Sequence, residues 1–151
     1  METLLQYCVA LLKEKADEKN QQINLQTEPL IINANRQKVW RVISNLVNNA
    51  IKFSPQNSAI DIAMERRPAS VVISIEDAGI GIPENIKERM FTNDIEISRP
   101  GTSGEESHGL GLIISKTIME EHKGKIWFES YVGKGTIFYV EFPVTNKVVV
   151  A

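Results

Sequence analysis

The chain has few cysteines and histidines, and its net charge is close to zero. A single cysteine, Cys8, among 151 residues excludes a disulfide within the chain and any multi-cysteine metal site. Two histidines, His108 and His122, are too few for a histidine-rich metal centre. The net charge of −2 gives no basic field for general nucleic-acid binding, so we expect no nucleic-acid partner. No apolar run approaches the roughly 18 residues of a membrane span, and the start of the chain lacks the basic region of a signal peptide, which predicts a cytoplasmic domain.

The remaining composition is that of one globular domain, with 42% hydrophobic and 24% charged residues. Apolar periodicity and a first-turn proline predict helices over residues 2–20, 35–52, 83–91 and 110–121, the charged end of the first being solvated. Alternating or β-branched runs predict strands over residues 23–26, 30–33, 58–65, 70–76, 125–130 and 136–142. Residues 92–108 have no period and predict a long loop. This order of elements favours a two-layer α/β sandwich, in which helices cover one face of a mixed sheet.

The helix over residues 35–52 carries a first candidate constellation. Asn45, Asn49 and Lys52 fall on one face, opposite the apolar stripe. Two amides spaced by one turn can offer oxygens to a hard cation or a water, and a lysine can neutralise phosphate as a point charge. Taken alone, a solvated polar face is the simpler explanation of the pattern, because Lys38, Arg41 and Asn48 share it.

A second constellation, Asp77-Ala-Gly79-Ile-Gly81, directly follows a predicted strand. A carboxylate there can accept a hydrogen bond from an exocyclic amino group, and glycines let the backbone approach a flat ligand. The alternative is an ordinary strand-end turn, where aspartate and glycine are common.

Two further motifs are rich in glycine. Gly109-Leu110-Gly111 runs into a predicted helix, and free N–H groups at a helix start suit an anion, although a flexible hinge would look the same. Gly133-Lys-Gly135-Thr136 alone predicts a β-turn between two strands.

In order and spacing the four motifs resemble the N, G1, G2 and G3 boxes of sensor histidine kinases. They are Asn45-Leu-Val-Asn-Asn49-Ala-Ile-Lys52-Phe53-Ser-Pro, Asp77-Ala-Gly79-Ile-Gly81, Gly109-Leu-Gly111-Leu and Gly133-Lys-Gly135-Thr136. The resemblance covers residues 22–143 and is specific to the ATP-binding catalytic domain, within the wider group that includes gyrase, the Hsp90 chaperones and MutL. It implies the Bergerat ATP-binding fold, a two-layer α/β sandwich, with ATP and Mg²⁺ as cofactors.

The resemblance implies a role for each matched residue. Asn49 is similar to the magnesium ligand, and Asn45 to the residue that positions metal or water. Lys52 is similar to the phosphate-contacting lysine, so Asn45 and Lys52 are the expected catalytic residues. Asp77 is similar to the adenine-reading aspartate. The other expected nucleotide contacts are Phe53, Gly79, Gly81, Ile82, Gly109, Leu110, Gly111 and Thr136, and Phe91 resembles the first aromatic of the F box.

The resemblance also implies how the chain is organised and what it does. Residues 1–21 would form the tail of a dimerisation helix and a linker, residues 22–143 the catalytic domain, and residues 144–151 a C-terminal tail. The γ-phosphoryl group of ATP would pass to a histidine on a dimerisation domain missing from this chain, and then to a response regulator. The parent kinase is expected to be a homodimer that the inner membrane could anchor. Neither His108 nor His122 is followed by the acidic residue of the family's phosphoacceptor motif.

Three alternatives stay open. A gyrase-, Hsp90- or MutL-type ATPase needs a glutamate base where this chain has Asn45. A serine kinase of the anti-sigma-factor class would act on a protein partner, although the helix over residues 2–20 favours the histidine kinase. A nucleotide-binding module without turnover would fit the departures from the family pattern around residues 92–108, which the resemblance implies form a lid over the nucleotide. Asp94 and Ile95 lie near the place of a second F-box aromatic, and Ser107-His108 precede Gly109.

Overall fold

The computed structural model of the chain describes residues 1–91 and 110–144, with the backbone alone at Leu110. The helices are α1 (Glu2–Glu18), α2 (Arg36–Phe53), α3 (Glu84–Lys87) and α4 (Leu110–Glu121). The strands are β1 (Gln22–Gln26), β2 (Ala59–Arg66), β3 (Ser70–Asp77), β4 (Lys125–Tyr131) and β5 (Gly135–Pro143). The loop predicted over residues 92–108, the predicted phosphate-binding Gly109 and the tail after Val144 lie outside the described residues.

The strands form one sheet in the order β1-β2-β3-β5-β4. Strand β1 runs parallel to β2, with Ile23 opposite Ile60, and the other neighbours are antiparallel. The register of β3 against β5 sets Asp77 opposite Thr136, so two of the sequence motifs meet at one end of the sheet. The predicted mixed sheet is confirmed.

One face of the sheet packs against the helices and forms the core. Alternate residues of β3, Val71, Ile73 and Ile75, are at most 1% exposed, while Glu76 on the other face is exposed. The predicted stripe of α2 is confirmed, and it covers this face with Val39, Val42, Ile43, Leu46 and Ala50. The two-layer sandwich therefore follows from burial of one helix stripe against one sheet face.

Helix α2 ends where the sequence predicts, and α3 is shorter than predicted. Asn35 caps the start of α2, because its Oδ1 accepts a hydrogen bond from the Lys38 N–H at 3.1 Å. Ser54 ends α2 with extended backbone before Pro55, as the residue before a proline favours. The helix expected over residues 83–91 is confirmed only for Glu84–Lys87, and turns follow it.

The strand predicted over residues 30–33 is wrong. Leu30 and Ile32 are half-buried against the core and Ile31 is 61% exposed, so the alternation of side chains is real. No strand pairs with the segment in the described part of the chain, and the N-terminal ammonium of Met1 donates to the Leu30 carbonyl at 2.7 Å. Alternating burial without a neighbouring ladder does not make a strand.

Two polar contacts join the start of α2 to the carboxyl-terminal end of α4. The Asn35 N–H donates to Nε2 of His122 at 3.0 Å, and His122 Nδ1 lies 2.8 Å from the Ile118 carbonyl. The Lys38 ammonium lies 2.7 Å from the Glu121 carboxylate and holds the pKa of that carboxyl below its usual range. His122 therefore has a structural role at the carboxyl-terminal end of α4. Within residues 1–91 and 110–144, no helix has the length and apolarity needed to cross a bilayer.

Candidate functional site

Asp77 is the last residue of β3, and its carboxylate is fixed by backbone donors. Its Oδ1 accepts hydrogen bonds from the Gly79 N–H at 2.8 Å and from the Thr136 N–H at 3.2 Å. The residue is 7% exposed. A carboxylate offers about four acceptor positions, and two donors at one oxygen fix its orientation without exhausting it. The two backbone donors therefore hold the carboxylate in one orientation at the end of β3.

The loop after Asp77 is pressed against the end of α2. The Ile80 N–H donates to the Phe53 carbonyl at 3.2 Å, and a Cβ built at Gly79 would overlap that carbonyl and lie 2.8 Å from Asp77 Oδ1. Gly81 has φ of 75°, which favours glycine. The glycines at 79 and 81 are therefore required by the fold of the loop, whether or not a ligand approaches them.

Thr136 contributes to the site through its backbone and through Ser130. The Thr136 hydroxyl lies 2.7 Å from Ser130 Oγ, which also accepts from the Ile82 N–H at 2.8 Å and donates to the Gly135 carbonyl at 3.1 Å. Ser130 is 2% exposed. The Ser130 hydroxyl therefore links the β4–β5 hairpin to the loop after Asp77. It contacts Thr136, whose N–H donates to the aspartate.

Asn45 brings the N-box helix against the start of α4. Its Nδ2 donates to Ser115 Oγ at 3.3 Å, and a Cβ built at Gly111 would overlap the Asn45 side chain. The face of α2 that carries Asn45 is therefore packed against α4 and is not simply a solvated surface.

Asn49, Lys52 and Phe53 lie in the last turn and a half of α2. Asn49 and Lys52 are half-buried, and the Asn49 side chain makes no hydrogen bond within the described ranges. Phe53 is 8% exposed, so its carbonyl at the Ile80 N–H is better placed to shape the site than its ring. Asn45, Asn49 and Lys52 stay on one side of α2, which brings the predicted metal and phosphate residues together.

Ile82 and Leu110 differ in what the structure shows of them. Ile82 is fully buried in the core, so its side chain presents no surface to a nucleotide, and its contribution is the N–H held by Ser130. Leu110 begins α4, next to Gly111, and only its backbone is described.

The F-box aromatic Phe91 lies on an aromatic row. Its ring centroid is 5.9 Å from that of Phe128, which is 5.4 Å from Phe138. Tilted pairs at these distances are favourable, so Phe91 is anchored on the sheet at the last residue described before the predicted lid.

The donor set on α2 fits a magnesium ion carried by a nucleotide. Along residues 1–91 and 110–144, no group of three His, Cys, Asp or Glu side chains could hold a metal. Magnesium bound with phosphates keeps several waters and needs only one or two protein oxygens. The amide oxygens of Asn45 and Asn49, one turn apart, can supply these.

Sequence reasoning missed Ser130, Ser115 and the donors described below at the end of α2. Ser130 stands opposite Thr136 in the β4–β5 register, so a hairpin drawn around Gly133 would have paired them. Nothing in the sequence marks Ser115, because its partner Asn45 lies on another helix.

The fold and this end of the sheet together define a nucleotide-binding α/β sandwich, with a backbone-anchored aspartate beside a helix that carries two asparagines and a lysine. The chain belongs to the family described as histidine kinase-, DNA gyrase B- and HSP90-like ATPases, whose model matches residues 34–146. Binding of ATP is the property that this family implies.

The relatives that the chain resembles are sensor kinases. It is 40% identical over 116 residues to the adaptive-response sensory kinase SasA of Prochlorococcus marinus, covering 76% of this chain and 30% of that protein. It is 35% identical over 146 residues to SasA of Synechococcus elongatus, covering 95% of this chain and 37% of that protein. The chain thus spans about a third of the length of these curated relatives.

Solved structures of histidine kinases match this chain. The catalytic domain of histidine kinase ThkA superposes with a TM-score of 0.81 at 33% identity, covering 95% of this chain and 94% of that one. ThkA in complex with the response regulator protein TrrA matches with a TM-score of 0.77 at 31% identity, covering 96% of this chain and 40% of that one. The fold of this chain is therefore that of a histidine kinase catalytic domain.

Proposed function

We propose that this chain is the ATP-binding catalytic domain of a sensor histidine kinase. It would deliver the γ-phosphoryl group of ATP to a histidine on a dimerisation domain of the same kinase, for onward transfer to a response regulator. The observation that carries the proposal is the Asp77 carboxylate, fixed by the Gly79 and Thr136 N–H groups at the end of β3 beside the polar face of α2.

In the proposed site, the loop after β3 and helix α2 bind different parts of the nucleotide. Asp77 accepts a hydrogen bond from the adenine amino group, while the Gly79 N–H holds the carboxylate in place. Asn45, Asn49 and Lys52 on α2 face the phosphates, where Lys52 supplies positive charge. Mg²⁺ held by Asn49, with Asn45 positioning it or its water, would neutralise the charge that develops on the phosphates.

Asn45 favours phosphoryl transfer to a protein over hydrolysis. An ATPase needs a base to activate water, and a neutral amide is a poor one. The contact of Asn45 with Ser115 and Gly111 instead suits a positioning role at the α2–α4 junction. In such a site catalysis depends on placing the phosphates in line with an acceptor on another domain.

The proposed partners follow from this role. The acceptor histidine would come from a dimerisation domain whose last helix includes α1, and the parent kinase would be a homodimer. ThkA was solved in complex with a response regulator protein, which supports a response regulator as the final acceptor here.

A phosphotransfer assay tests the proposal. The chain is incubated with γ-labelled ATP and magnesium, alone and with the dimerisation domain of the same gene as a separate polypeptide, and the label is checked for acid stability. We expect acid-labile label on the added domain, formed slowly because the tether's effective concentration is lost, and none on this chain.

Three results would contradict parts of the proposal. Acid-labile label on this chain alone that disappears in His108→Ala would show an internal acceptor. Steady release of inorganic phosphate without protein label would favour the ATPase. Tight binding of magnesium–ATP without label on either polypeptide and without release of inorganic phosphate would identify a binding module without turnover.

A further inference from the structure

The carbonyls at the end of α2 are all engaged, although a helix leaves its last four without partners inside the helix. The Ala50 carbonyl accepts from the Ser54 N–H at 3.1 Å, and the Phe53 carbonyl accepts from the Ile80 N–H at 3.2 Å. The carbonyls of Ile51 and Lys52, which lie between them, take their donors from outside α2 and outside the Asp77 loop.

These donors come from the corner between α1 and β1. The Lys19 ammonium donates to the carbonyls of Ile51 at 2.9 Å and Lys52 at 3.2 Å. The Gln21 side-chain amide donates to Ile51 at 3.1 Å, and also to the carbonyls of Ser54 and Pro55 at 3.1 and 3.2 Å. Lys19 is 7% and Gln21 5% exposed, so the expectation of a solvated, linker-like end to the first helix is wrong for Lys19.

A buried ammonium at this place is favourable for two physical reasons. The carboxyl end of a helix carries partial negative charge, which a cation stabilises within the last turn. An ammonium removed from water also needs hydrogen-bond acceptors, and the helix end supplies them. Lys19 therefore fixes the corner to α2 in one geometry, because a shift of either element would separate the buried ammonium from its acceptors.

The backbone of the corner is fixed to the loop after α2 as well. The Asn57 N–H donates to the Lys19 carbonyl at 3.0 Å, and the Asn20 amide donates to Asn57 Oδ1 at 2.6 Å. Asn20 has φ of 51°, the left-handed conformation that turns the chain from α1 into β1. The corner thus holds both the last turn of α2 and the residues that follow it.

We propose that Lys19 and Gln21 are positioning residues for the nucleotide site. They hold the turn of α2 that carries Lys52, directly after Asn49, in register with the Asp77 loop, which binds the same turn at Phe53. A displacement of α1 moves the phosphate-facing residues relative to the adenine-facing loop. This inference deepens the proposed nucleotide site and rests on it.

The test compares Lys19→Met with Lys15→Met, which removes an exposed lysine one turn earlier on the same helix. Affinities for magnesium–ATP and for adenosine, which has no phosphates, are measured by titration calorimetry on the folded protein. We expect Lys19→Met to lose roughly tenfold in magnesium–ATP affinity, the scale for partners that orient a binding residue, and to change adenosine binding much less. Lys15→Met should bind both like the wild type.

A purely structural Lys19 would lower the urea midpoint and leave both affinities of the folded protein unchanged, and that result would overturn the inference. Gln21→Met serves as the second variant, with the same expectation, should Lys19→Met fail to fold.

Amide exchange without nucleotide separates this inference from the proposed function. In Lys19→Met the amides of Ser54 and Ile80 should exchange faster relative to the core amide of Ile73, which reports global unfolding. Unchanged ratios would overturn the inference even if ATP binds. A wild-type chain that binds no ATP would refute the proposed function. The exchange ratios would then show by themselves whether Lys19 holds the end of α2 against the loop after Asp77.

Discussion

Asn45 on α2 and Gly111 on α4 lie so close that a Cβ at position 111 would overlap Asn45 Oδ1, so a side chain there requires the Asn45 amide to move. The contact brings the asparagine of one motif against the glycine of another across the junction of two helices. It makes the start of α4 a boundary of the site, because Gly111 follows the predicted phosphate-binding Gly109 and Leu110.

Gly111→Ala should destabilise the fold and weaken binding of magnesium–ATP. The new methyl group must displace the Asn45 amide, the end of a half-buried side chain, so the loss of stability should lie at the low end of the roughly 1–3 kcal/mol that overpacking costs. Urea unfolding measures the first effect and titration calorimetry the second.

The double variant Asn45→Ala/Gly111→Ala is the control for this mechanism. Removing the amide makes room for the methyl group, which relieves the overpacking of the single Gly111→Ala variant. Stability should therefore recover while magnesium–ATP affinity stays low. Additive losses of stability in the double variant would show that the two residues do not meet.

Asn49→Ala should reduce magnesium-dependent ATP binding and leave the fold intact. Asn49 is half-buried and makes no side-chain hydrogen bond within the described ranges, so its removal leaves no protein group unsatisfied. Asn48→Ala, at the neighbouring half-buried asparagine, is the matched control and should bind normally. If Asn49→Ala unfolds the domain but the folded fraction binds with unchanged affinity, the residue is structural.

Ser130→Ala should destabilise the domain by about 1–3 kcal/mol, because it leaves the buried Ile82 N–H and the Thr136 hydroxyl without their partner. Ser74→Ala, at a half-buried serine of β3, should stay within about 0.5 kcal/mol of the wild type. Equal urea midpoints for the two variants would refute the supporting role of Ser130.

Burial raises the pKa of the Cys8 thiol to about 12. The folded chain therefore keeps the thiol protonated where the unfolded chain ionises it, so the free energy of unfolding should fall as the pH rises from about 9 toward 12. Alkylation by iodoacetamide at pH 9 should be at least about a hundredfold slower in the native protein than in urea, because the thiolate is the nucleophile. Comparable rates would show that Cys8 is accessible.

The sequence predicted elements whose burial follows one clear period. The stripe from Val39 to Ala50 gave α2 and its end at a serine before proline, since both signals are local. Leu30–Asn33 shows the limit, because alternating side chains cannot reveal whether a neighbouring strand is present. The shared side of α2 that carries Asn45, Asn49 and Lys52 was also predictable, whereas the contact of Asn45 with Gly111 required knowing that α4 packs against it.

The donors at the end of α2 were beyond sequence reasoning for a different reason. From a predicted helix end we expect that the last carbonyls need hydrogen-bond donors, but the sequence does not indicate which distant side chains supply them. In the sequence Lys19 belongs to a run of charged residues that predicts a solvated helix end. In the structure its ammonium donates to the carbonyls of Ile51 and Lys52.

Base selectivity tests the central claim most directly. In the presence of magnesium, titration calorimetry of the wild-type chain should show ATP binding at least about tenfold more tightly than GTP. In the proposed site Asp77 accepts a hydrogen bond from the adenine amino group, whereas the guanine carbonyl would leave two acceptors facing each other at a cost of about 1–3 kcal/mol. Asp77→Asn, whose single side-chain carbonyl must serve both the backbone donors and the base, should lose most of this preference. Equal affinities of the wild-type chain for ATP and GTP would contradict the account.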